Sequence, residues 1–154
     1  MGALPKTTGP DAGPAFQSDQ TPCNCLALRQ AARHLSQAYD RHLSQTGLRS
    51  SQYSILSKLS RLGPMPIGKL AETMVMERTA LGRALGPLER DRLVAVGPGP
   101  DGRTRSVSLT AAGQARFKAA AVHWRKAQKE FETSFGADAA EGLRATLLRV
   151  VAAA

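Results

Sequence analysis

Two short basic clusters hold the side chains best suited to chemistry. Arg78, Thr79 and Arg83 lie close together in one run. A guanidinium is a planar fork of donors that matches phosphate oxygens and the outer edge of guanine, and a hydroxyl adds a smaller polar contact. In the second cluster, Asp101-Gly102-Arg103-Thr104-Arg105, a carboxylate stands two residues before one arginine and four before another. That spacing predicts a charge-assisted hydrogen bond from Arg103 to Asp101, which would limit the rotamers lost when Arg103 binds an anion. The chemistry implied is recognition of a polyanion, with an ordinary exposed charged loop as the plain alternative.

A third candidate is Cys23-Asn24-Cys25 at the start of a helical pattern. The positive end of a helix favours thiolate, so oxidation, electrophile attack or capture of a soft metal with a third ligand are the chemistries to expect. Two inert thiols are the alternative. Two sulfurs do not complete a zinc site, and His34, His42 and His123 are isolated in sequence, so neither a metal nor any cofactor is expected. There is no glycine-rich nucleotide loop and no histidine-supported nucleophile, which excludes an enzyme.

The whole chain supports an anionic partner. Its 154 residues carry 21 Lys+Arg against 12 Asp+Glu, a formal net charge of +9. Such an excess suits nucleic acid first and an anionic membrane surface second, although solubility alone can also favour net charge. No apolar run approaches the roughly 20 residues that span a bilayer. Residues 1–21 are rich in Gly, Pro and small polar side chains and read as a disordered tail without a signal segment. With two cysteines and no disulfide framework, the chain reads as cytoplasmic and reduced.

Hydrophobic spacing supplies the elements that position these clusters. Pro22 opens a helix over residues 25–44, with Leu28, Ala32, Leu35, Tyr39 and Leu43 in one stripe before Thr46-Gly47. A second helix runs over 51–62, capped by Ser50, with Ile55, Leu56, Leu59 and Leu62 inward and Gly63-Pro64 as its stop. Pro66 begins a short helix that ends near Thr73. Met74-Val75-Met76 forms a turn, and a helix over 77–91 turns Leu81, Leu85 and Leu88 inward. Gly82 and Gly86 in that helix admit either close approach of a DNA groove or a neighbouring side chain from within the protein. The period then changes. Leu93-Val94-Ala95-Val96 and Ser106-Val107-Ser108-Leu109 read as a hairpin with a long turn-rich tip. Thr110 caps a long helix over 111–135 that Gly136 breaks. Asp138 with Glu141 resembles a capping box before a last helix carrying Leu143, Leu147, Val150 and Val151. The fold class is mainly α with a small β-hairpin, and the order of elements is that of a winged helix-turn-helix.

Several stretches together resemble the MarR family of bacterial regulators, from about residue 25 to residue 151. They are Ile67-Gly68-Lys69-Leu70-Ala71-Glu72, Arg78-Thr79-Ala80-Leu81-Gly82-Arg83-Ala84-Leu85 and Leu88-Glu89-Arg90-Asp91-Arg92-Leu93-Val94. The most specific is Asp101-Gly102-Arg103 leading into Val107-Ser108-Leu109-Thr110-Ala111-Ala112-Gly113. The resemblance implies a homodimer, with residues 22–50 and 111–154 as dimerisation helices around a DNA-binding unit at 51–110. It implies that the helix over 77–91 enters the major groove of a palindromic operator and the wing arginine, Arg103, the minor groove. The DNA contacts expected are Arg78, Thr79, Arg83, Asp101, Arg103, Thr104 and Arg105. The regulator is expected to repress, and to be released by a small aromatic or phenolic ligand or by thiol modification at Cys23 and Cys25. Expected ligand-pocket residues are Arg29, Arg33, Tyr39, Tyr53 and Trp124, although they equally suit core or interface. Arg92 stands where the family often has Gly, and Gly102 where many members have Arg. The rival reading is an architectural DNA-binding protein with no effector.

Overall fold

A computed structural model describes residues 23–153. The expected disordered tail and the helix-opening role of Pro22 lie outside the described residues. The elements are α1 (Asn24–Leu43), a 3-10 turn (Ser44–Thr46), α2 (Ser50–Leu62), β1 (Met65–Pro66), α3 (Ile67–Met74), α4 (Arg78–Arg90), β2 (Val94–Pro98), β3 (Arg105–Leu109), α5 (Ala111–Phe135) and α6 (Ala137–Ala152). Among the described residues no helix is long and apolar enough to cross a membrane.

The core draws mainly on α2, α3, α4 and the sheet; of the expected α1 stripe only Leu43 is buried, with Leu28 and Ala32 exposed, and Val150 and Val151 of α6 are exposed as well. Leu43 closes α1 over Ile55, Leu56 and Leu59 of α2, and Leu70, Leu81, Leu85, Leu88, Val94 and Val107 complete the cluster. Leu62 breaks the expected stripe of α2: it is the last residue of the helix and is 58% exposed. Ser50 does not cap α2. Arg49 occupies the cap position, where its N–H donates to Gln52 Oε1 at 2.9 Å. The Ser50 N–H donates to Asp40 Oδ1 at 2.6 Å, so a carboxylate from α1 satisfies the start of α2 and ties the two helices together. Nor does Asp138 cap α6. Gly136 holds that position at φ 95, and Asp138 lies inside the first turn, where its charge complements the helix dipole.

The hairpin belongs to a three-stranded antiparallel sheet of order β1-β3-β2. In it Val94 pairs with Leu109 and Pro98 with Arg105, while Met65 of β1 pairs with Val107. β1 has no periodicity to betray it. Pro66 is therefore an edge-strand residue and the cap of α3 rather than its first residue; at a sheet edge its missing N–H costs little.

A tight junction joins the sheet to α5. Thr110 Oγ1 accepts from the Gly113 N–H at 2.9 Å and donates to the Arg92 carbonyl at 2.7 Å. The Thr110 N–H donates to the Leu93 carbonyl at 3.1 Å. Arg92 itself is left-handed at φ 57, a conformation glycine adopts more easily, which explains why relatives would place Gly there.

Much apolar surface stays uncovered on α1, α5 and α6. Leu26 and Leu28 of α1, Phe135 at the end of α5, and Leu148, Val150 and Val151 of α6 are exposed, Leu148 at 71%.

Candidate nucleic-acid interface

With Leu81, Leu85 and Leu88 buried, helical geometry forces Arg78, Thr79, Gly82, Arg83, Gly86 and Arg90 outward, and all six are exposed. A Cβ on Gly82 or Gly86 would meet nothing within 4 Å. This removes the reading in which they admit a side chain of the same chain, and leaves an open backbone strip on the outer face of α4. The ion pairs of the described residues are His42–Glu130, Lys69–Glu72 and Arg144–Glu132. Arg78, Arg83, Arg103 and Arg105 take part in none of them, so an anion would meet guanidinium groups that need not first break an internal pair.

The loop between β2 and β3 is built around Asp101, though not in the way its spacing suggests. Asp101 Oδ1 accepts from the N–H of Arg103 at 3.0 Å, the N–H of Thr104 at 3.0 Å and the hydroxyl of Thr104 at 2.8 Å. It holds the backbone that carries Arg103 and makes no ion pair with the guanidinium, because the turn at Gly102 (φ 66) brings the amides to the carboxylate first. The Gly99 N–H closes the tip on the Thr104 carbonyl at 2.6 Å. A groove of about 450 Å³ runs from this tip to the start of α3 and takes in Gly68, Lys69, Arg78, Arg103 and Arg105. The structure thus brings Arg78 and the wing arginines to one concavity.

The hydrogen bonds from Thr104, then from Arg103, lower the Asp101 carboxyl below its ordinary 3.8. A depressed carboxylate contributes order that is complete above the unfolded value and is lost as the pH falls through the folded one. The carboxyl titration of Asp101, followed by NMR, is therefore expected to fall below 3.8, and Thr104→Val to move it back up. Protection of the Arg103 and Thr104 amides should disappear in the same acid range and stay constant above about pH 5. An unshifted midpoint in the parent chain would remove Asp101 from its role.

The residues expected to line an effector pocket do not share one. Tyr53 is buried and packs on Phe117 and Trp124, with ring centroids 5.2 Å and 5.9 Å away, as an aromatic core between α2 and α5. Arg29 and Arg33, in the first half of α1, are exposed. Tyr39 donates to Gln128 Oε1 across α1 and α5, and burial, then the Glu132 carboxylate, raise its hydroxyl above the ordinary 10.0. A hollow of about 410 Å³ lies elsewhere, between α1, α5 and α6, walled by Leu35, Phe131, Phe135 and Leu143 and rimmed by His34 and His42. Neither histidine stands out in sequence, since their common cavity arises only when the three helices pack.

Cys23 and Cys25 are both exposed. Cys23 caps α1, its Sγ accepting the Leu26 N–H at 3.4 Å. Among the described residues no group of three or more His, Cys, Asp or Glu could hold a metal ion.

Residues 48–103 match the MarR family model. The fold superimposes on the transcriptional regulator MosR of M. tuberculosis, solved in complex with DNA, with a TM-score of 0.77 and 37% identity over 85% of this chain and 95% of that one. The transcriptional activatory protein BadR of Rhodopseudomonas palustris is 35% identical over 91 residues, 56% of this chain and 52% of BadR, so the match spans about half that relative's length. The uncharacterized HTH-type transcriptional regulator YwoH of Bacillus subtilis is 28% identical over 70% of this chain and 79% of its own.

Proposed function

The chain belongs to the MarR family of transcription regulators, which are not enzymes, and we propose that it binds a palindromic DNA operator as a homodimer and represses transcription in the cytoplasm. The observation that carries this reading is the groove shared by Arg78 of α4 and Arg103 and Arg105 of the wing, beside an α4 face whose arginines make no internal ion pair. On this reading the start of α4, with Arg78, Thr79 and Arg83 exposed, enters the major groove, Arg103 and Arg105 enter the minor groove, and Asp101 and Thr104 hold the tip in shape.

The apolar surface of α1 and α6 supports the dimer. Leu26, Leu28, Leu148, Val150 and Val151 would be an aggregation hazard on a lone chain, and a second copy covers them by two-fold symmetry. Two-fold symmetry in turn presents two α4 helices about one DNA turn apart, roughly 10 bp between half-site centres. On this reading residues 22–50 and 111–154 join the dimer and residues 51–110 hold the duplex.

Release would come from a small aromatic or phenolic ligand or from the exposed thiols. Cys23 and Cys25 stand at the open end of α1, on the helix that would meet the partner. Oxidation by a peroxide, with two thiols giving up two electrons and two protons to form a disulfide and water, would cost α1 its Cys23 cap. The test is a titration of the chain against DNA from its own upstream region, repeated with peroxide, with dithiothreitol and with aromatic carboxylates. Peroxide should abolish the shifted complex, dithiothreitol should restore it, and Cys25→Ser should be indifferent to both. If Cys25→Ser responds like the parent chain, the thiols are passive. If neither peroxide nor any carboxylate alters binding, the architectural reading replaces the regulated one. The match to BadR, named an activatory protein, favours activation as the second reading of the sign. Transcription from the upstream promoter with and without the chain separates the two.

A further inference from the structure

We propose that Arg78 clamps a backbone phosphate of the bound duplex instead of reading bases, and that Gly68 makes the seat in which it does so. The clamp presupposes the DNA-binding reading above and assigns one contact within it. A Cβ built on Gly68 would stand 2.6 Å from Arg78 Nη2, 3.1 Å from Cζ and 3.2 Å from Nε. The guanidinium therefore lies over the bare backbone of the first turn of α3, and any side chain at position 68 would push it away. Arg78 is the first residue of α4, and its guanidinium turns back over α3, while Arg83 lies further along the exposed face of α4.

The surroundings suit a phosphodiester. Lys69, Arg78, Arg103 and Arg105 line the groove against the single carboxylate of Glu72, which is engaged by Lys69 at 3.3 Å. Three guanidinium groups thus make no ion pair with the described residues. Helix α3 is entered from Pro66 with no side-chain cap, so its positive end adds to the same potential. Such a site attracts a singly charged phosphate oxygen pair and carries no information about sequence.

The test compares the parent chain, Arg78→Gln, Arg78→Lys and Gly68→Ala on two duplexes, one from the upstream region and one scrambled, across a salt series. Arg78→Gln should weaken binding to both duplexes by the same factor and lower the slope of log affinity against log salt by about one. Arg78→Lys should restore the slope, since a point charge releases the counterion as well as a fork does. Gly68→Ala should reproduce the loss of Arg78→Gln with an unchanged circular dichroism spectrum; should it fail to fold, the Gln and Lys pair decides. An unchanged slope, or a loss confined to the upstream duplex, would overturn the clamp, the second outcome making Arg78 a base reader. A parent chain that binds neither duplex at low salt would instead remove the DNA reading itself.

Discussion

Replacing Gly113 by alanine should destabilise the fold by about 3 kcal/mol or more, even though alanine is intrinsically the better helix former by about 1 kcal/mol. The added Cβ would stand 1.9 Å from the Leu93 carbonyl oxygen and 2.8 Å from Leu109 Cδ1. The oxygen cannot move aside cheaply. It is held by the Thr110 N–H, and Leu93 leads directly into β2, whose Val94 pairs with Leu109. On the other side Gly113 is tied by its own N–H to Thr110 Oγ1. Overpacking between two backbones that share a cap cannot be absorbed by one rotamer change. For a chain of this size such a loss lowers the melting temperature by roughly 6–12 °C. Gly142→Ala is the control: nothing lies within 4 Å of a Cβ there, inside α6, so stability should rise by up to about 1 kcal/mol. Thermal or urea melts of both variants check the pair. A Gly113→Ala chain as stable as its parent would show that the sheet and α5 do not meet this closely, and the placement of the wing would fall with that contact.

Arg103→Ala should weaken operator binding by about 1–3 kcal/mol, or roughly 5- to 150-fold in Kd, and Arg83→Ala by as much or more. The two losses differ in kind. Arg83 lies exposed in the middle of α4 beside Gly82 and Gly86, where an added Cβ would meet nothing within 4 Å. Its removal should flatten the difference between the correct operator and one changed at a single base pair. Arg103 rides on a turn whose backbone Asp101 has already ordered, so its side chain is the main freedom lost on binding. Its removal should reduce affinity most where a narrow, A·T-rich minor groove offers the strongest negative potential. Titrations against labelled operator at one fixed salt concentration measure both, and unchanged affinity in both variants would defeat the assignment.

Most of this protein's plan is written in local spacing. Leu81, Leu85 and Leu88 recur at helical intervals and are all buried, which leaves α4 a single possible outer face. The change to alternating residues at Leu93 marks the hairpin, and Gly47, Gly63 and Gly136 stop the 3-10 turn, α2 and α5 with positive φ angles. Such features depend on a few neighbouring residues and on steric rules that hold in any fold, so they can be read without coordinates.

What escaped were contacts between residues whose positions in the chain say nothing about their meeting. β1 is a strand only because β3 offers it partners, Met65 to Val107 and Pro66 to Ser106, and two residues cannot display a period. Tyr39 donates to Gln128, and Tyr53 packs on Phe117 and Trp124, so the expected pocket residues lie in separate contacts and the hollow between α1, α5 and α6 is lined by others. Asp101 orders the turn through backbone amides, because those amides compete with a guanidinium for one carboxylate and only the turn's geometry decides the winner. The residues and their charges determined by themselves which kind of partner the chain can hold. Where each guanidinium comes to rest, Arg78 against Gly68 above all, was decided by packing, because a long flexible side chain takes its direction from whatever surface the fold brings beside it.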